Sequence, residues 1–198
     1  MIKAFLKTES LILLWKALIK KGKLGLKNFK IREMLSSDLD EVFKIENLSN
    51  PTPWSSSSFL DCLKGNYLNL VIEDGKQVIG YCISTINFTE SHLLNISIKP
   101  NYRNLGIGET LLDYAEKECI KKGVKDIFLE VRKSNQPAIS FYKKMNYRYV
   151  GLRKNYYKTN VGREDGLIYS KHMEINKLIS IFRQLTYVFK NIISFKRY

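Results

Sequence analysis

The stretch from Asn95 to Lys122 constrains the fold of this chain more than any other. An apolar run, Asn95-Ile-Ser-Ile98, leads through Lys-Pro-Asn-Tyr102 into Arg103-Asn-Leu-Gly106-Ile-Gly108, and a long helical pattern then runs to Lys122 and stops at Gly123 in the manner of a C-cap. A strand that turns directly into a long helix lays that helix back over its own sheet, which selects a layered α/β or α+β architecture. The two glycines let the backbone turn tightly and approach a ligand, and the first amides of the helix have no partner inside it. Such a helix start favours a phosphate or pyrophosphate. Alone, the turn is a weak signal, and an ordinary strand-to-helix connection reads equally well. The third glycine and acidic ribose partner of a dinucleotide fold are missing, and so is the Gly-Lys-Ser/Thr of a P-loop.

The flanking pattern fills in the sheet. Phe29–Met34 alternates like a strand, and Asp38, Asp40 and Glu41 place acids in the first turn of a helix from Ser37 to Asn47. Pro51, Pro53 and Trp54 break the chain before a short helix at 57–64. Strands are predicted at 67–73 and 78–88, joined by the hairpin signal Asp74-Gly75-Lys76, and at 92–98. After the long helix come a strand at 127–132, a helix at 137–145 opened by Asn135, and strands at 147–154 and 167–173. A meander feeding a crossover helix gives a mixed sheet covered by helices.

The net charge of +14 is unevenly placed. Residues 1–30 hold eight lysines and one acid, 171–198 hold six basic residues and one acid, and 31–170 are nearly balanced at nineteen against seventeen. The basicity therefore belongs to two extensions, 1–28 and 175–198, around a nearly neutral domain at 29–174. This argues against a nucleic-acid binder throughout its length. Residues 1–18 read as a basic amphipathic helix before a Lys/Gly-rich linker. Leu178, Phe182, Leu185, Phe189 and Ile192 form the apolar stripe of a second helix. Cys62, Cys82 and Cys119 are scattered and odd in number, which fits buried thiols in a reducing compartment. With His92 and His172 the only histidines, no metal is expected. No apolar run approaches the ~18–20 residues of a membrane span, and no secretory cleavage pattern is present.

The order Arg103-x-x-Gly106-x-Gly108, then Leu129-Glu130-Val-Arg-Lys-Ser-Asn135, then Ala138-Ile-Ser-Phe-Tyr142 resembles the GNAT superfamily of acetyltransferases over about residues 29–174. The resemblance implies the GNAT fold, a mixed and mostly antiparallel sheet flanked by helices, with acetyl-CoA as cosubstrate. Pro53-Trp54-Ser55-x-x-x-Phe59, Asn155-Tyr-Tyr157 and Gly162-Arg-Glu-Asp165 look further like the RimI-type enzymes, which acetylate the N-terminal alanine of a small-subunit ribosomal protein. By that resemblance the backbone of Ile96, Ser97 and Ile98 contacts acetyl-CoA. The loop opened by Arg103, with Asn104, Leu105, Gly106, Ile107, Gly108 and Glu109, holds the pyrophosphate, and Asn135 holds the pantetheine arm. Glu130 is the general base and Tyr142 the general acid. The loop departs from the family in carrying Asn104 and Glu109 where an Arg or Lys is common, which shifts phosphate binding onto backbone N–H groups.

The chemistry suits those roles: an α-amino group with a pKa near ~7.7–8.0 must lose a proton to attack, and a phenol can protonate the departing thiolate. Read without the resemblance, Glu130 is a surface carboxylate paired with a Lys or Arg, Tyr142 a core aromatic, and Arg163-Glu164-Asp165 a charged hairpin end. Competing functions are acetylation of a small amine such as a polyamine or aminoglycoside, and a non-catalytic acetyl-CoA-binding or RNA-tethering module. The sequence further leads us to expect a cytoplasmic monomer. The basic extensions suit contact with RNA or an anionic membrane, and an acid-poor 1–28 leaves an organelle presequence as the alternative.

Overall fold

The computed structural model describes residues 29–173. Both amphipathic segments inferred from the sequence lie outside the described residues.

The central strands are apolar on both faces because helices cover both. Strand β1 (Phe29–Glu33) is followed by helices α1 (Leu39–Ser49) and α2 (Ser56–Lys64), then by β2 (Tyr67–Asp74), β3 (Gln77–Thr85) and β4 (Glu90–Ile98). Helix α3 (Ile107–Lys121), β5 (Asp126–Arg132), α4 (Gln136–Lys144), β6 (Arg148–Thr159) and β7 (Gly162–His172) complete the order. The seven strands form one sheet in the order β1-β2-β3-β4-β5-β7-β6. Every pairing is antiparallel except β4 with β5, which the α3 crossover makes parallel. Alternation along β2 divides the core: Leu68, Leu70 and Ile72 pack with Leu111, Leu112 and Ala115 of α3, while Val71 packs with Val42, Ile45 and Phe59 of α1 and α2.

Two local features shape the middle of the sheet. Strand β4 carries an extra residue at Leu94, since Ile83 faces Asn95 whereas Ser84 faces Leu93. The β4–β5 pairing stops at the same place, with Leu93 opposite Leu129 as its last pair. Beyond it the two parallel strands separate, and the β5-facing edge of 94–98 is left without a strand partner. Gly80 on β3 lets β4 lie close. A Cβ there would collide with Ile98 Cδ1 and sit 2.9 Å from the Ser97 carbonyl oxygen.

Several boundaries differ from the sequence reading. The helix predicted from Ser37 begins at Leu39, and Asp38 instead closes a short 3-10 turn at Ser36–Asp38, where its side chain accepts from the Leu35 amide at 2.7 Å and from Arg32 at 2.6 and 2.8 Å. A second 3-10 turn occupies Pro100–Tyr102. Strands β6 and β7 are longer than predicted and form a hairpin through Thr159 and Gly162, so Arg163-Glu164-Asp165 lies within β7. The three cysteines are free and buried.

Candidate active site

Where β4 and β5 part, a cleft opens between them in two connected halves of about 370 and 440 Å³. Ser49, Ile96, Ser97, Asn135, Ala138 and Tyr142 line both.

The first half faces the start of α3. Gly106 caps that helix with φ of 75°, and Asn104 before it has φ of 60°, the left-handed conformation that Gly and Asn tolerate best. Thr110 closes the turn by donating from both its amide and its hydroxyl to the Gly106 carbonyl, each at 3.0 Å. The amides ahead of Thr110 have no carbonyl within the helix to bond and carry the positive end of its dipole. Ile96, Ser97, Ile98, Arg103, Asn104, Gly106, Gly108 and Glu109 all border this half. Two residues predicted for the loop do not: Leu105 is exposed, and Ile107 is buried in the core beneath it. Arg103 donates to the Ile98 carbonyl at 2.9 Å and to Ser49 Oγ at 2.7 Å, which ties the end of β4 to the end of α1. Glu109, an acid beside a site suited to anions, is paired with Lys144 at 2.5 Å. Asn135 caps α4 by accepting from the Ala138 amide at 3.1 Å.

The second half is walled by the 50–55 loop between α1 and α2, by β5 and by the β6–β7 hairpin. Glu130 borders it, and its Oε1 is 3.0 Å from Arg153 Nε. The pairing expected of a surface carboxylate is thus present, yet Glu130 also opens onto the cleft. Arg153 lies over the Tyr156 ring, and the hydrogen bond to Glu130 is the main cause that pushes the Tyr156 phenol up. Tyr142 is buried where the two halves meet. Desolvation first, then Cys82 and Tyr157, pushes its phenol well above the ordinary range, so its proton stays on at neutral pH.

Glu46 was not singled out from the sequence. It is a buried carboxylate on α1 that accepts from the Tyr81 hydroxyl, the Trp54 amide at 2.9 Å, Asn50 Nδ2 at 3.2 Å and Asn95 Nδ2 at 3.4 Å. It therefore fastens the loop that walls the second half to β3 and β4. The signal was available: Glu46 falls in the same stripe as Leu39, Val42 and Ile45, where a lone acid requires buried partners. Trp54 packs on Phe59 with ring centroids 5.4 Å apart, and it also borders the cleft.

Comparison with known proteins agrees with this geometry. The acetyltransferase (GNAT) family matches residues 30–147. A putative [ribosomal protein bS18]-alanine N-acetyltransferase of Bacillus subtilis is 41% identical over 140 residues, covering 70% of this chain and 91% of that protein. The [ribosomal protein bS18]-alanine N-acetyltransferase of Escherichia coli is 33% identical over 138 residues, covering 70% of this chain and 93% of its own. The crystal structure of the ribosomal-protein-S18-alanine N-acetyltransferase from Escherichia coli superposes with a TM-score of 0.70 at 31% identity, over 74% of this chain and 95% of that one. Arabidopsis thaliana NAA60 in complex with acetyl-CoA shares the fold, at a TM-score of 0.67 and 20% identity over 74% of this chain and 99% of that one. A helix start aimed into the gap between two parting parallel strands, with a carboxylate and a buried phenol along it, is thus accompanied by direct sequence similarity, and the chain belongs to the GNAT acetyltransferase family.

Proposed function

We propose that this protein transfers the acetyl group of acetyl-CoA to the N-terminal α-amino group of a protein, with the N-terminal alanine of the small-subunit ribosomal protein bS18 as its acceptor. The observation that carries the reading is the arrangement of the cleft. An anion-binding helix start opens into one half, Glu130 borders the other, and Tyr142 lies where they meet. The relatives named for bS18-alanine acetylation support the acceptor, since the similarity spans nearly their whole length.

The first half suits the diphosphate and pantetheine of acetyl-CoA. First-turn amides of α3 hold the phosphates, and the free edge of Ile96–Ile98 lies alongside the pantetheine arm. Asn135 Nδ2, which has no partner among the described residues, adds a donor beside that arm. Glu130 takes a proton from the acceptor ammonium, directly or through one water. The neutral amine attacks the thioester carbonyl, and a backbone amide of the unpaired β4 edge stabilises the oxyanion. As the C–S bond breaks, Tyr142 gives its proton to the thiolate sulfur, and the nitrogen, made cationic by forming the C–N bond, passes its second proton through water to the Tyr142 oxygen. The phenol holds its proton at neutral pH, so the donor is loaded when the thiolate departs. Release of the first amine proton from Glu130 to water completes the cycle.

A CoA-release assay tests the reading with Ala-, Ser-, Gly- and Met-initiated peptides against free lysine, spermidine and an aminoglycoside. Turnover confined to free peptide N-termini, with Ala first, is the expected result; turnover on small amines alone overturns it. Glu130→Gln is expected to lower kcat by ~10²–10⁴ with acetyl-CoA binding nearly intact. A variant as fast as wild type removes Glu130 from the role of base.

A further inference from the structure

Arg132 closes β5 two residues beyond Glu130, and its side chain is only 14% exposed although its partners lie at the protein surface. It reaches both walls of the second half of the cleft at once. Toward the β6–β7 hairpin, Nη1 donates to Glu164 Oε1 at 2.9 Å and to the Lys158 carbonyl at 3.0 Å, and the guanidinium lies over the Tyr157 ring, 4.5 Å from its centroid. Toward the α1–α2 loop, Nη2 donates to Thr52 Oγ1. Glu164 carries the connection onward by accepting from the Ser134 amide at 3.2 Å, just ahead of the Asn135 cap. The Ser134 hydrogen bond first, then that of Arg132, also holds the Glu164 carboxyl below its ordinary range.

From this geometry we infer that Arg132 is a positioning residue that sets the spacing of the acceptor groove by fastening both of its walls to the strand that carries Glu130. The inference rests on the assignment of the second half of the cleft to an acceptor peptide. Only a forked, planar cation meets these demands together: two acceptors on one wall, one on the other, and an aromatic face beneath. A lysine ammonium keeps the charge beside Glu164 but has neither the fork nor the stacking plane. Among the described residues, Thr52 is the one partner of Arg132 on the α1–α2 loop, so it reports separately on the span across the groove.

The test is steady-state kinetics of Arg132→Lys and Thr52→Val on the full chain, with an Ala-initiated peptide and, separately, spermidine as acceptor. The peptide KM is expected to rise about tenfold in Arg132→Lys and about threefold in Thr52→Val, as expected from loss of charge-assisted and single hydrogen bonds. The KM for acetyl-CoA is expected to stay within about twofold, because the first half of the cleft keeps its contacts. The double variant is expected to match Arg132→Lys, since Thr52 acts through the same guanidinium. Equal rises in both KM values would mark a general loss of structure and overturn the proposal. So would a fully active Arg132→Lys, or an additive double variant. Wild-type turnover of spermidine with no peptide overturns the peptide reading itself; wild-type peptide turnover without the selective KM change overturns the role of Arg132 alone.

Discussion

Replacing Glu46 by Leu removes a carboxylate of similar shape from a buried position and leaves its donors in place. Two of them depend on it: the hydroxyl of Tyr81, whose ring is fully buried, and the amide of Trp54. A buried donor left without an acceptor costs about 1–3 kcal/mol, so the pair costs about 2–6 kcal/mol. Burying the extra apolar carbons of leucine returns about 1–2 kcal/mol. The expected loss is about 3 kcal/mol. For a chain of 198 residues this lowers Tm by about 6–12 °C. Glu46→Gln behaves differently. Its carbonyl oxygen can replace Oε1 and accept from Trp54, but its NH₂ can only donate to the Tyr81 oxygen, so one buried O–H instead of two buried donors loses its acceptor. The expected loss is about 1–2 kcal/mol. Urea unfolding followed by tryptophan fluorescence gives both values, provided the denaturant slope is unchanged. Because the Trp54 amide anchors the acceptor loop, Glu46→Leu is also expected to raise the peptide KM more than the acetyl-CoA KM. Equal losses for Leu and Gln, or a Leu variant within about 0.5 kcal/mol of wild type, would refute the view that hydrogen-bond pattern and not charge fixes this loop.

Asp38 gives a pH signature. Arg32, chiefly through its hydrogen bonds, holds this carboxyl below the ordinary range. Its contribution to stability is therefore fully present above the unfolded value near ~4 and is lost as pH falls through the lower folded value. Urea midpoints of wild type and Asp38→Asn are expected to differ most at neutral pH and to draw together as pH falls below ~4 and through the lowered folded value. A constant gap over that range would contradict the pairing. Glu109→Gln removes a carboxylate beside the proposed diphosphate site and frees Lys144. The acetyl-CoA KM is expected to fall about threefold at low salt, with the gain shrinking as ionic strength rises; a rise in KM at every salt concentration would count against binding there.

What the sequence disclosed and what it hid follow from the range of the interactions. The turn at Arg103–Gly108 was legible because Gly106 and Asn104 meet local backbone demands that few other residues satisfy. The succession of strands and helices was legible from periodicity, and so was the Asn135 cap. The parting of β4 from β5 was not. It depends on one extra residue at Leu94, in a run with no Gly or Pro to mark it, and the bulge exists only against the partner strands. The β6–β7 hairpin was underestimated because its bulged stretch between Arg153 and Tyr157, with Asn155 at φ of 52°, breaks the strand period and reads as a loop. Glu130 and Tyr142 could be named by motif order, but not the Arg153 partner 23 residues along the chain, which reaches Glu130 across β7.

The two halves of the cleft are made of different material, and this has a consequence for specificity. The first half presents backbone: amides at a helix start, an unpaired strand edge and a turn held by glycine and asparagine. Its nearby charged side chains are committed elsewhere, Arg103 to Ile98 and Ser49, and Glu109 to Lys144. Backbone donors are set by the fold and are little changed by side-chain substitution, so recognition of the acyl donor is tied to the integrity of the domain. The second half is built from side chains drawn from three separate segments, joined through Glu46 and Arg132. Substitutions in the α1–α2 loop or the β6–β7 hairpin can therefore alter the acceptor without disturbing the helix start. A fold organised in this way can keep one acyl donor while its acceptor changes, and the residues that decide the acceptor are those whose partners lie far away in sequence.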